Sequence, residues 1–335
     1  MRDFQILTDS LCDLPQSWLR AHDYITIVDT PITISGPEHS LTLRHLSPDD
    51  FDQVEFYVKK KGCRATTSQP QSFDPYEENP ESVESLTRKY VRMGKDVIYV
   101  TMSSFLSGTY GMISVCYAEL SEWAAKHGQN ITCVDSQCMS TGLGLLIMEL
   151  AQAIERNTVG DIKDIKDFVV KNRGYMGHFF TWAKLDYIKL SGRVSATKAF
   201  VGDLLGIRLM CSAQYNSDGE RKLELINRQY TRLRGIAKFA EALGCYAQSH
   251  ILDTKGPIIV AHGNAPHDAE IVVSKLRKYL PDATYLMGPE WRCSAGIQTH
   301  GGKSSMHINF HTKEIGKLDK TTEEMEEIIR NLPRK

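Results

Sequence analysis

The sequence lacks both long hydrophobic runs and blocks of like charge. No stretch approaches the roughly 18 uninterrupted apolar residues that indicate a membrane-spanning helix, so we expect no integral membrane segment. The formal net charge is −1, and the one charge-rich stretch, residues 313–335, mixes both signs. Nucleic acid is therefore excluded as an expected partner, because binding to phosphates requires a clustered basic face. Residues 1–7 carry Arg2 and Asp3 rather than the apolar core of a secretion signal, and we expect a cytoplasmic protein.

The eight cysteines also lack the spacing of a disulfide or metal framework. None of them forms a Cys-x-x-Cys pair, and several lie inside apolar strand or helix patterns. Small buried thiols of this kind are typical of proteins from a reducing compartment. A disulfide-stabilised fold is not expected.

The pattern of apolar segments predicts an α/β protein with two domains. The chain has 335 residues, of which 41% are hydrophobic, and this length exceeds that of a single ordinary core. Strands and helices alternate through residues 1–157, which predicts a parallel sheet with helices on both faces. Residues 158–335 mix helices with strands, including a strong hairpin turn at 216–220, and predict an α+β domain with a mixed, partly antiparallel sheet.

Residues 100–110 read Val-Thr-Met-Ser-Ser-Phe-Leu-Ser-Gly-Thr-Tyr and lie between a predicted strand and a predicted long helix. The first turn of such a helix presents unpaired N–H groups and the positive end of the helix dipole. Ser103, Ser104 and Ser107 add neutral hydroxyl donors, and Gly108 allows a close approach of the backbone. Because this loop contains no Lys or Arg, it favours a singly charged oxyanion such as a carboxylate over a polyphosphate.

Hydroxyl and carboxyl side chains follow several strands of the predicted parallel sheet. Ligands of such sheets lie outside the carboxyl ends of the strands, so these groups are expected to meet at one edge. The strand-end groups are Thr8-Asp9-Ser10, Thr66-Thr67-Ser68, Ser103-Ser104 and Asp135-Ser136.

The motifs, taken in order, resemble those of the DegV family of bacterial fatty-acid-binding proteins. They span nearly the whole chain, and their order makes the resemblance specific. The matching segments are Thr8-Asp9-Ser10 with Asp13-Leu14-Pro15, Thr67-Ser68-Gln69-Pro70, Ser103-Ser104-x-x-Ser107-Gly108-Thr109-Tyr110, Asp135-Ser136, Leu185-x-Tyr187-x-Lys189-x-x-Gly192-Arg193, and His300-x-Gly302.

This resemblance implies a lipid-binding protein without catalytic activity or a cofactor, which encloses one long-chain fatty acid between its two domains. By the family pattern, the carboxylate contacts Thr67, Ser104 or Ser103, and His300. Family binding subunits present the carboxylate to a fatty-acid kinase catalytic subunit, which forms an acyl-phosphate from ATP.

Two further positions and one departure follow from the same resemblance. Lys189 and Arg193 are candidates for contacting the kinase partner or the phosphate. The family usually reads His-Thr-Gly-Pro-Gly where this chain has His-Gly-Gly-Lys-Ser at 300–304. The altered loop is expected to change headgroup geometry, lipid choice or transfer to the kinase.

A serine hydrolase acting on a lipid or another acyl substrate is the main alternative. Ser104 or Ser107 would be the nucleophile, and His262 or His300 the base. The nucleophile elbow Gly-x-Ser-x-Gly is absent around both serines, which argues against this alternative.

Two other ligand classes are suggested by local patterns. Residues 296–304 resemble a phosphate-binding loop, but the glycine spacing is one residue too long and a strand pattern follows where a helix is required. His307 and His311 share one face of that predicted strand but lie about 13 Å apart at ~3.3 Å per residue, too far to share a metal ion. We therefore predict neither a nucleotide site nor a metal site.

Overall fold

The computed structural model describes residues 3–182, 187, 207–215, 221–225, 233–250, 256–315 and 318–332. The chain forms two compact units, the first from Met1–Leu46 and Thr67–Arg173, the second from Ser47–Thr66 and Gly174–Lys335. From the sequence, one boundary after residue 157 was predicted. Lys189 and Arg193 lie outside the described residues.

The secondary structure follows the predicted alternation of strands and helices. Residues 3–173 form, in chain order, β1 (Phe4–Asp9), α1 (Gln16–Leu19), β2 (Ile25–Val28), β3 (Ile32–Ser35), β4 (Ser40–Leu43), α2 (Phe51–Lys61), β5 (Arg64–Thr67), α3 (Val83–Arg92), β6 (Asp96–Thr101), α4 (Thr109–Lys126), β7 (Ile131–Asp135), α5 (Ser140–Glu155) and α6 (Ile162–Asn172). The later described residues form β8 (Met176–Trp182), β9 (Ile207–Tyr215), β10 (Arg221–Leu225), β11 (Leu233–Arg234), α7 (Gly235–His250), β12 (Pro257–His262), α8 (Pro266–Leu276), β13 (Thr284–Leu286), α9 (Ala295–Gly301), β14 (Met306–His311) and α10 (Leu318–Asn331).

The first unit is built on a parallel sheet with the strand order β2-β1-β6-β7. Every residue of β1 and β6 is buried, as expected for central strands that are covered on both faces. The register pairs Thr8 with Val100 and Thr101 with Asp135, so the carboxyl ends of β1, β6 and β7 lie at one edge. The predicted N-terminal parallel sheet is confirmed.

A smaller sheet has the strand order β4-β3-β5. β2 and β3 are separated by a break at residues 29–31. Pro31 cannot donate a backbone hydrogen bond, and its carbonyl oxygen instead accepts from Ser68 N at 2.7 Å. The third strand of this sheet is β5, which ends at Thr67.

The second unit contains a mixed sheet with the strand order β10-β9-β8-β14-β12-β13, and β11 also pairs with β9. β12 and β13 are parallel, whereas β9, β8, β14 and β12 pair antiparallel along the sheet. β9 and β10 form the antiparallel pair expected on either side of the hairpin turn, which itself lies outside the described residues. The predicted α+β organisation is confirmed.

The α2 segment belongs to the second unit because polar contacts join it to α9 and the loop after α9. Lys303 Nζ lies 2.5 Å from Asp52 Oδ1 and 2.7 Å from Glu55 Oε2. Gln298 Nε2 donates a hydrogen bond to the Pro48 carbonyl oxygen at 2.9 Å. These partners are about 250 residues apart in sequence, so local patterns could not reveal the pairing.

Two expectations about the chain as a whole can be compared with the structure. All eight cysteines lie in the described parts of the chain, and all are free thiols. Among the helices that the structure describes, none has the length and apolar character needed to cross a membrane.

Candidate functional site

The loop between β6 and α4, residues 102–108, is called the serine loop below. Asp9, the last residue of β1, fixes its start by accepting hydrogen bonds from Met102 N and from the Tyr99 hydroxyl, the latter at 3.1 Å. Burial raises the pKa of Asp9 to about 6, because desolvation of the carboxylate outweighs the hydrogen bonds that favour its charged form. Asp9 therefore positions the backbone just before the two serines.

Asp135, the last residue of β7, holds the middle of the serine loop. Its Oδ1 accepts from Ser104 N at 3.1 Å and from Gln137 N at 2.9 Å, and its Oδ2 accepts from Ser104 Oγ at 2.6 Å. Ser104 is exposed, yet its hydroxyl proton is used by Asp135. In this arrangement the Ser104 oxygen offers lone pairs, rather than a proton, to any further partner.

Ser103 has a different environment from Ser104. It is fully buried, its N–H donates to the Cys138 carbonyl oxygen at 2.8 Å, and its carbonyl oxygen accepts from Ser107 N at 3.1 Å. Its Oγ accepts a long hydrogen bond from Phe105 N at 3.4 Å. Ser103 thus contributes to the internal structure of the loop, and Ser104 is the serine of this pair that reaches the surface.

The end of the serine loop leads directly into α4. Ser107 Oγ lies 2.8 Å from Thr109 Oγ1 and accepts from Thr109 N at 3.3 Å, so this pair of hydroxyls sits at the helix start. The first turn of an α-helix has N–H groups without intrahelical acceptors and carries the positive end of the dipole. The start of α4 therefore has the features on which the prediction of an anion site rests.

The segment Thr67-Ser68-Gln69-Pro70 reaches the serine loop through Gln69. Ser68 is held on the other side by the hydrogen bond to Pro31 and by a contact between its Oγ and Thr33 Oγ1. A Cβ atom built on Gly108 would stand only 2.1 Å from Gln69 Nε2, which shows that the Gln69 carboxamide lies against Gly108. A larger residue at position 108 would therefore displace the end of the flexible Gln69 side chain.

Gln69 is a site residue to which sequence reasoning assigned no role. Its signal was present, because Gln69 and Gly108 stand in two of the recognised motifs, but nothing in the sequence indicated that they touch. The structure thus brings together three of the four predicted strand-end groups, through Asp9, Asp135 and the serines, and Gln69 joins the same loop from the segment that follows β5.

His300 lies in the last turn of α9 in the second unit and is partly buried. Ser294 caps this short helix by accepting from Ile297 N at 3.4 Å, and Gly302 follows the helix with φ 71°. Gly301 packs tightly, because a Cβ atom there would stand 2.7 Å from Trp182 Nε1. His300 is therefore carried by a closely packed helix end.

The residues that resembled a phosphate-binding loop have another structure. Residues 295–301 are helical, and the next element is the strand β14. Lys303 is paired with Asp52 and Glu55, whose hydrogen bonds raise its pKa. A helix where the glycine-rich loop should be, followed by a strand, does not form a cradle for phosphates.

The structure gives no support to the hydrolase alternative. The hydroxyl of Ser104 is hydrogen-bonded to Asp135, and the hydroxyl of Ser107 is hydrogen-bonded to Thr109. His262 Nδ1 accepts a hydrogen bond from Ala265 N at 3.2 Å. The pKa of His262 is lowered, mainly by burial and also by the positive charge of the nearby Arg292. For the residues that can be searched, no group of three His, Cys, Asp or Glu side chains is placed to hold a metal ion.

Comparisons with known proteins agree with the fold and motifs. A family model described as "Uncharacterised protein, DegV family" matches residues 3–313. A DegV domain-containing protein of Clostridium perfringens is 30% identical over 283 residues, which cover 84% of this chain and 89% of that protein.

Two solved structures show the same fold. A DegV family protein from Thermus thermophilus, described for its fatty acid binding, has a TM-score of 0.70 at 22% identity, covering 93% of this chain and 100% of its own. A DegV family protein from Eubacterium eligens, loaded with heptadecanoic acid, has a TM-score of 0.71 at 17% identity. The match covers 92% of this chain and 100% of that protein. With its motifs, its fold and the family match over residues 3–313, this chain belongs to the DegV family.

Proposed function

We propose that this protein binds one long-chain fatty acid without transforming it. The observation that supports this most directly is the start of α4, where first-turn N–H groups and the neutral hydroxyls of Ser107 and Thr109 follow the serine loop. The related proteins from Thermus thermophilus and Eubacterium eligens are described as binding fatty acid and heptadecanoic acid, respectively. A carboxylate headgroup, with one negative charge and two acceptor oxygens, suits neutral donors at a helix start.

The two ends of the ligand make different contributions to binding. A buried carboxylate must receive several hydrogen bonds, because an unpaired buried charge is strongly unfavourable. We assign these contacts to Thr67, Ser103, Ser104 and His300, as the motifs predict. Ser104 donates to the carboxylate when its hydroxyl turns from Asp135 to the ligand. Each CH₂ group removed from water contributes roughly 0.8 kcal/mol, so the acyl chain supplies most of the affinity and the headgroup supplies orientation.

The test compares fatty-acid retention by matched variants of the full chain. Thr67→Val combined with Ser104→Ala removes two hydroxyls with little change of shape, and we expect the variant to lose lipid when purified protein is analysed by native mass spectrometry. Thr42→Val, on the exposed face of β4, is the control and should retain lipid. Equal lipid content in the double variant and the wild type, with both folded, would refute the carboxylate site.

We further infer, from the resemblance alone, that the bound carboxylate is presented to a cytoplasmic fatty-acid kinase. Lys189 and Arg193 are the predicted contacts with that partner or with the phosphate. A mixture of this chain, ATP, hexadecanoic acid and a purified kinase catalytic subunit should form acyl-phosphate, and Lys189→Ala with Arg193→Ala should slow it without releasing lipid. Acyl-phosphate formation that does not depend on this chain contradicts the inference.

The hydrolase alternative has its own direct test. A fluorophosphonate reagent labels activated serine nucleophiles, so modification of Ser104 or Ser107 would favour an enzyme over a binding protein. We expect no labelling, because neither hydroxyl is hydrogen-bonded to a histidine in the contacts described above.

A further inference from the structure

The sheet of the second unit has two faces with different chemistry. Phe179, Ile308 and Phe310 face a large apolar core that includes residues of α7 and α8. Because side chains alternate along a strand, Phe180, Trp182 and His307 lie on the opposite face. The register places His307 directly across from Phe180, and their rings meet edge to face with centroids 4.7 Å apart.

Three polar side chains on this opposite face form what we call the polar cluster: Trp182, Ser305 and His307. They are buried, with exposures of 2%, 0% and 1%. Trp182 Nε1, Ser305 Oγ and both ring nitrogens of His307 have no hydrogen-bond partner in the part of the chain that the structure describes. Nearly all buried polar groups in proteins are paired, so four unpaired atoms in one place call for a ligand or water.

The members of the polar cluster are close in space. Phe180 links two of them, since its ring centroid is 4.7 Å from that of His307 and 6.5 Å from that of Trp182. Trp182 Nε1 and Ser305 Cβ stand 2.7 Å and 2.9 Å from the point that a Cβ atom on Gly301 would occupy. The cluster therefore extends from the end of α9, beside His300, along β14.

The chemistry of the cluster is neutral. Burial lowers the pKa of His307 to about 3, so its ring is uncharged at physiological pH and has one N–H donor and one acceptor nitrogen. The Trp182 ring supplies a donor only, and the Ser305 hydroxyl is both donor and acceptor. A group that itself donates and accepts, such as an alcohol, fits this set better than a carboxylate, which only accepts and would leave the acceptor nitrogen of His307 unpaired.

We propose that the preferred ligand is a fatty acid with a hydroxyl group near its carboxyl end, and that Trp182, Ser305 and His307 hold this hydroxyl. The inference rests on the proposed fatty-acid binding and specifies the ligand of that site. The position near the carboxyl end follows because the cluster begins next to His300, which is assigned to the carboxylate. An unsubstituted acyl chain at the same place leaves the polar atoms unpaired, and sites built to hydrogen-bond a hydroxyl reject analogues that lack it.

Calorimetric titration of the delipidated full chain tests this with three probes: hexadecanoic acid and its 2-hydroxy and 3-hydroxy derivatives. We expect one hydroxylated acid to bind at least tenfold more tightly than hexadecanoic acid. Equal affinities overturn the hydroxyl inference but leave fatty-acid binding intact and assign the cluster to buried water. Absence of binding by all three probes refutes the proposed function and the inference with it.

In variants, the decisive measurement is the ratio of the affinity for the hydroxylated acid to that for hexadecanoic acid. A change in protein stability alone does not alter this ratio. Trp182→Phe removes only the N–H donor, Ser305→Ala removes one hydroxyl, and His307→Leu removes both ring nitrogens. We expect each to reduce the preference for the hydroxylated acid, with hexadecanoic acid bound at least as tightly as before. Trp123→Phe, in α4 of the first unit, is the matched control and should keep the ratio. An unchanged ratio in the folded Trp182 and Ser305 variants overturns the assignment, even if the His307 variant fails to fold.

Discussion

Replacing Asp135 with asparagine tests how the serine loop recognises a carboxylate. Asp135 Oδ2 holds the proton of Ser104 Oγ at 2.6 Å, and Oδ1 accepts from two backbone N–H groups. In Asp135→Asn, the remaining oxygen keeps the two backbone contacts and the new amide donates to Ser104 Oγ. The shape of the loop is retained, but the Ser104 proton becomes free to bind a ligand and a negative charge disappears.

The expected gain follows from the strength of one hydrogen bond to a charged group. Such a bond contributes about 1.5–3 kcal/mol, and 1.4 kcal/mol corresponds to a tenfold change in affinity. We therefore expect Asp135→Asn to bind hexadecanoic acid at least tenfold more tightly than the wild type at pH 7.5. The lost charge-assisted contacts should lower the free energy of unfolding by about 1 kcal/mol.

Competition with a fluorescent fatty acid measures this change in affinity. The control is Asp96→Asn, which removes the same charge at the amino end of β6, where Asp96 Oδ1 accepts from Asn130 N at 2.8 Å. Its affinity for hexadecanoic acid should stay near that of the wild type. Adding Ser104→Ala to Asp135→Asn should remove the gain. If Asp135→Asn binds no more tightly than the wild type while remaining folded, Ser104 is not a donor to the carboxylate.

Three other changes test the surroundings of the site. Burial raises the pKa of Asp9 from 3.8 to about 6, so the folded protein binds the Asp9 proton more tightly than the unfolded chain does. The free energy of unfolding therefore falls as pH rises from about 4 to about 6. Asp9→Asn should therefore shrink the loss of unfolding free energy between pH 4.5 and pH 7 by about 2 kcal/mol in urea titrations, and an unchanged difference contradicts this. Gly108→Ala should displace the Gln69 carboxamide and weaken fatty-acid binding with little change in melting temperature, but should have no further effect in a Gln69→Ala background. Burial would raise the pKa of Glu55, but hydrogen bonds from Lys303 and Lys59 lower it to about 2. The ion pairs of Glu55 therefore stabilise the fold above pH 4.5, and this stabilisation is lost on acidification toward pH 2. Lys303→Met should lower the free energy of unfolding more at pH 7 than at pH 2.5, and equal losses at the two pH values would argue against a stabilising Lys303–Glu55 pair.

The sequence allowed the parallel sheet and the polar strand ends to be predicted, because both depend on local patterns. Alternating strands and helices indicate the sheet, and the edge follows from the common direction of its strands. The role of Asp135 was not predictable in detail, since its side chain could equally have faced a ligand. Only the structure shows that it holds Ser104.

Other features depend on contacts between distant residues and could not be read from the sequence. The helix α9 was missed because its composition, Ala-Gly-Ile-Gln-Thr-His-Gly, lacks an apolar period and contains two glycines. His307 was considered only as a metal ligand paired with His311, and its burial against Phe180 depends on strand pairing. The position of α2 depends on Lys303, 248 residues after Glu55.

The long separation between α2 and its partners has a consequence for biosynthesis. Chains grow at about 5–20 residues per second, so α2 leaves the ribosome roughly 10 to 50 s before Lys303 is made. During that interval Asp52 and Glu55 face water while the β strands on either side of the segment can already begin to assemble. A nascent chain stalled before Lys303 would present α2 without the side chain that pairs with Asp52 and Glu55 in the finished protein.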